Sequence, residues 1–167
     1  LAQEARLLAE RSVQPRIAFP QALLVRRDIP ETASAIFDQE RQFAERKRTI
    51  EGQVDILKQR MEQTNSDITG KTLRESSLKS QIANLNTEIR AVSGLADRGY
   101  YPRNKLLANQ RELYRIQGEL GLVRSEIARS HKINEEAKLQ IVATRQRQVE
   151  EASQQLGEVR ARLGQTL

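Results

Sequence analysis

The stretch Leu78-KSQIANLNTEIRAVSGLADRGYYPRNKLLANQRELYRIQGELGL-Val123 decides the fold. On its near side Leu78, Ile82, Leu85, Ile89 and Val92 recur at three- and four-residue steps. On its far side Leu106, Leu113, Ile116, Leu120 and Val123 continue the helical spacing. Between them, Asp97-Arg98-Gly99-Tyr100-Tyr101-Pro102 brings together a glycine and a proline, residues suited to closing one helix and opening the next. Leu85 and Leu113, Ile82 and Ile116, and Leu78 and Leu120 are each equidistant from this break. Residues so placed share layers in two antiparallel helices of equal pitch. One helix running straight through the break is excluded.

The pattern extends outward from there. Ile50, Val54, Leu57, Met61 and Ile68 lengthen the first stripe, and Ile127, Ala137 and Ile141 lengthen the second. The sequence therefore predicts an all-α fold: a long antiparallel two-helix coiled-coil hairpin, with a short additional N-terminal helix and an irregular elbow. Residues 1–12 read as the end of the short helix. The elbow, 13–33, contains Pro15, Pro20 and Pro30, and its Ile17, Phe19, Leu23, Leu24 and Val25 are expected to pack against the hairpin base. An ascending helix, starting near Pro30–Ser34 and assigned to 34–97, has Pro30 suited to its first turn and Thr32 or Ser34 as its cap; it leads to a turn at 98–102 and a descending helix over 103–164. Each arm would be about 95 Å long at the α-helical rise. The helical spacing is already under way at Leu1, which reads as a piece cut from a longer protein.

The seam has polar interruptions. Lys71 and Glu75 face Ile127 and Val123, where their stems can cover the apolar partner while their charges reach water. Thr64 falls opposite Asn134, a polar layer that would fix register. Nearer the base the return stripe becomes Val149, Leu156 and Leu163, facing Ile50, Phe43 and Ile36. The one extra residue before Val149 predicts a bulge or a change of supercoil.

Composition agrees with this architecture. The 167 residues are 30% charged and only 4% aromatic, too polar for an ordinary globular core and typical of long helices. A net charge of +6 raises nucleic-acid binding as a possible function, but bases and acids alternate along both arms, as on a solvated coiled-coil face. A nucleic-acid-associated arm would bind in a steeply salt-dependent way. A chaperone-like hairpin would need an apolar tip, whereas Asp97-Arg98 and Arg103-Asn104-Lys105 are polar.

No catalytic, cofactor or metal constellation is present in the sequence. His131 is the single histidine, there is no cysteine, and no glycine-rich phosphate loop occurs. The candidate binding site is the tip: Leu95, Arg98, Gly99, Tyr100, Tyr101, Pro102, Arg103 and Asn104. Consecutive tyrosines point apart, so one can cap the last layer while the other stays exposed beside arginines, a combination suited to interfaces. Gly118 and Gly121 are out of place in a helix interior, and a smooth patch for lateral packing against a neighbouring helix would account for them.

Several of these features resemble one family. They are the elbow Ile17-Ala18-Phe19-Pro20, the opening Ile36-Phe37 followed by Glu40, Phe43 and Arg48, and the turn Leu95-x-x-x-Gly99-Tyr100-Tyr101-Pro102-Arg103-Asn104-x-Leu106. Together they resemble the haemolysin-D-like membrane fusion proteins, the periplasmic adaptors of type I secretion, in their protease- and lipase-exporting branch. The resemblance implies a non-enzymatic adaptor without cofactor, anchored in the inner membrane of a Gram-negative bacterium. Such an adaptor binds an ABC exporter and reaches a TolC-like outer-membrane channel with its hairpin tip. Six hairpins usually stand side by side, and neither nucleic acid nor a small-molecule substrate is a partner. The family's lipoyl-like and β-barrel domains would lie outside residues 1–167. Its tip motif has Arg, then Leu, then Ser or Thr; here Leu95 fits, but Ala91 and Pro102 occupy the other two positions.

Overall fold

A computed structural model of the chain describes residues 1–165. It contains α1 (Ala2–Arg11), α2 (Gln21–Leu24), α3 (Pro30–Asp97) and α4 (Arg103–Gln165). No helix among the described residues is long and apolar enough to cross a membrane. The contacts separate two compact units, residues 1–59 with the described residues from 137 onward, and residues 60–136.

The first unit is built around α1. Leu7 is fully buried against Ala152, Leu156 and Val159 of α4, with Leu8 and Leu163 packed at the margin. Ile36 of α3 is also buried. Beneath α1 the apolar face of α4 widens to take a third helix, and this accounts for its altered stripe. The bulge expected between Ile141 and Val149 is not there, because α4 runs through as unbroken α-helix.

Two charged residues of α1 are buried with Leu7. The Arg6 guanidinium donates to Glu10 Oε1 at 2.6 Å and to Gln39 Oε1 at 2.7 Å. Arg46 donates to Glu10 Oε2 at 2.8 Å and also lies 3.6 Å from Glu151. Glu10 is thus held by a cation on each carboxylate oxygen, with 1% of its side chain exposed.

The end of α1 carries a backbone irregularity. The Val13 N–H donates to Glu10 O at 3.2 Å and the Gln14 N–H to Ala9 O at 2.9 Å, the paired bonds of a Schellman cap. That cap needs a left-handed residue, and Val13 supplies it at φ 50°. A β-branched side chain is costly there, by about 1–2 kcal/mol. Val13→Gly is therefore expected to raise stability by about 1 kcal/mol, read as an upward shift of the thermal midpoint.

The elbow differs from expectation. Ile17, Phe19 and Leu23 are half-buried, but Leu24 and Val25 are exposed, so the elbow does not pack as a unit on the base. It contains one helical turn, α2, opened by Pro20, whose carbonyl accepts the N–H groups of Leu23 and Leu24. α3 then begins at Pro30, the first-turn position that the sequence suggests, four residues ahead of the assigned boundary at 34. Ile29, not Thr32 or Ser34, is the cap residue, its carbonyl accepting the Ala33 N–H at 2.9 Å. Proline at the first helical position has its φ preset and lacks only an N–H the helix would leave unpaired.

The second unit is the two-helix seam. Leu78, Ile116, Leu120 and Val123 form its buried cluster, with Ile82, Leu85 and Ile127 packed against them. The interrupting charges are paired across the seam. Lys71 bridges Asp67 (2.7 Å) and the Ser130 hydroxyl (3.3 Å), and Glu75 accepts from Arg124 at 3.0 Å. The polar layer is shifted by one residue. Asn134 donates to Asn65 Oδ1 at 2.6 Å, while the Thr64 hydroxyl turns back onto the Arg60 carbonyl of its own helix. The Asn134 Oδ1 is buried without a hydrogen-bond partner.

These pairs set a pH dependence. Lys71 holds the Asp67 carboxyl below its usual range, Lys79 and Arg124 do so for Glu75, Arg115 for Glu112, and Arg74 for Glu119. A carboxyl depressed in the folded state contributes stability above its unfolded pKa and loses it as pH falls through the folded value. The thermal midpoint is expected to be level from about pH 7 to 5 and to fall below about pH 4. A melting series across that range checks it.

Candidate functional site at the hairpin turn

The turn lies within the second unit and is closed by backbone geometry. Gly99 sits at φ 80°, its N–H donating to Ala96 O at 3.1 Å, while the Tyr100 N–H donates to Leu95 O at 2.8 Å. This is the same Schellman cap as at Val13, made here with the residue that fits it. Three residues on, the Pro102 carbonyl accepts the N–H groups of Lys105 and Leu106 and starts α4. The Asn104 side chain accepts the Lys105 N–H at 3.0 Å.

This geometry leaves most of the predicted residues facing water. Tyr100 is 80% exposed and Leu95 45%. Arg98, Gly99, Pro102, Arg103 and Asn104 are also exposed, and Tyr101 is half-buried. Leu106, just past the turn, is buried and ends the seam. Gly118 and Gly121 lie further along α4, both exposed, with open space where a Cβ would stand. His131 is exposed. Among the described residues no group of three or more acids and histidines could hold a metal ion.

The basic residues singled out at the tip belong to a wider concentration that the interleaving along the arms conceals. Between residues 89 and 111 there are five cations, Arg90, Arg98, Arg103, Lys105 and Arg111, against one acid, Asp97. Counting charge by segment along the chain would have found its extent.

Comparison with known proteins places this geometry. A family model described as AprE, long alpha-helical hairpin, matches residues 1–166. The chain belongs to this family. It is 31% identical over 120 residues to the proteases secretion protein PrtE of Dickeya chrysanthemi, an alignment covering 72% of the chain and 27% of PrtE. Its fold is also that of the soluble domain of LipC, described as a membrane fusion protein of a type I secretion system. That crystal structure matches with a TM-score of 0.93 at 26% identity, covering 99% of this chain and 62% of the soluble-domain chain. The chain thus spans only about a quarter of PrtE, and the turn holds Tyr100, the most exposed large hydrophobic side chain among the described residues.

Proposed function

We propose that this hairpin is the reaching element of a periplasmic adaptor in a type I secretion system, and that its turn docks onto a TolC-like outer-membrane channel. The parent protein would sit in the inner membrane and engage an ABC transporter through parts outside this chain. Several copies, six by the family pattern, would stand side by side, with Gly118 and Gly121 allowing close lateral approach. Energy for transport would come from the transporter, and the hairpin would hold geometry.

The observation that carries this reading is the 99% coverage of the chain by the LipC match. The turn supports it. Exposed Tyr100 between Arg98 and Arg103 offers large contact area with little side-chain entropy to lose. Photo-crosslinkers placed at Tyr100 or Arg103 of the full-length protein should capture an outer-membrane channel, and one placed at Arg41 should not. Capture of the channel from Arg41 alone would reverse the assigned polarity.

A further inference from the structure

Among the three longer helices, the ends away from the turn follow the dipole rule. An α-helix favours acids in its first turn and bases in its last. α1 has Glu4 first and Arg11 last, α3 opens with Glu31, and α4 closes with Arg162. At the turn both ends are reversed. The last turn of α3 has no base and holds Asp97, while the first turn of α4 has no acid and holds Arg103 and Lys105.

Nor are these cations used within the chain. Along the shaft of the second unit Lys71, Arg74, Lys79, Arg115 and Arg124 each have a carboxylate partner, whereas Arg60 and Arg129, away from any helix end, have none among the described residues. Arg98, Arg103 and Lys105 make no ion pair among the described residues. Placement that works against local stability and goes uncompensated in the free molecule points to a role in binding.

We infer that the turn docks by charge, with Arg98, Arg103 and Lys105 engaging carboxylates on an acidic rim of the channel and Tyr100 packing at the centre. This rests on the docking reading above and adds the chemistry of the partner surface. It also replaces the Arg and Ser/Thr positions of the family's tip motif, occupied here by Ala91 and Pro102, with a different set of contacts. Rim charges of this kind act mainly on association rate and salt dependence, and an aromatic anchor acts on dissociation.

The test is surface-based binding of the full-length protein to a purified TolC-like channel of the same bacterium in detergent. Association should slow at least about tenfold between low and high salt. The double variant Arg98→Glu/Arg103→Glu should slow it by a similar factor at low salt, while Arg60→Glu/Arg129→Glu, with the same change in net charge, should leave it within about twofold. Arg98→Lys/Arg103→Lys should retain most of the rate, and Tyr100→Ala should chiefly speed dissociation. Binding that is indifferent to salt and to the reversals at 98 and 103 overturns the inference but leaves the docking reading standing. Absence of binding at every salt concentration overturns both.

Discussion

Glu10→Ala is expected to destabilise the first unit by about 3–5 kcal/mol and to release α1. The wild-type carboxylate is 1% exposed and neutralises two guanidinium groups, Arg6 at 2.6 Å and Arg46 at 2.8 Å. Removing it leaves Arg6 buried with only the Gln39 amide oxygen to accept from it. A buried charge stripped of its counter-ion costs far more than the intact pair contributes. The control is Arg6→Met/Glu10→Leu, which removes both charges of the most buried pair. It should cost much less than the single change, because no unpaired charge stays inside: Arg46 is partly exposed and keeps Glu151 at 3.6 Å. Amide exchange over residues 2–11, together with the thermal midpoint, separates the two cases. If Glu10→Ala and the double change behave alike, the pair has no electrostatic role.

Ile116→Ala should cost the second unit about 2–5 kcal/mol. Ile116 is 3% exposed and sits among Leu78, Leu120 and Val123, with only Ile82, Leu85 and Ile127 at the margin. A two-helix seam has no third layer to close over the lost volume, so little relaxation can offset the cavity. Leu122→Ala, six residues away and 67% exposed, should stay within about 0.5 kcal/mol. Amide exchange over residues 110–125 reads both. Equal effects at the two positions would mean that the seam is not where the stripe puts it.

The hairpin was legible because its signal is redundant. Many apolar residues on each arm repeat one spacing, and Gly99 and Pro102 mark where the mirror stands. The role of α1 was not legible. Arg6 and Glu10 are four apart on a ten-residue helix, the signature of a solvated surface pair. Only the approach of Gln39 and Arg46, more than thirty residues away, makes them an interior pair. The polar layer was misplaced by one residue for a local reason. A threonine hydroxyl can be satisfied by its own helix, as Thr64 is by Arg60, whereas the longer Asn65 amide reaches across. At the turn, the residues that composition singles out are exposed except for the half-buried Tyr101. Their reversed order with respect to the helix ends became apparent only when the first and last turns of each helix were fixed.

The reversed charges at the turn also govern what the tips do before any partner arrives. Five cations against one acid over residues 89–111 give every free tip the same sign. Two tips that meet therefore repel within about a Debye length of each other, roughly 8 Å at physiological salt. An exposed tyrosine at the turn would otherwise invite end-to-end pairing of copies. Like charge keeps unengaged arms apart and leaves Tyr100 available, so a single set of side chains can both seek a partner of opposite sign and reject its own kind.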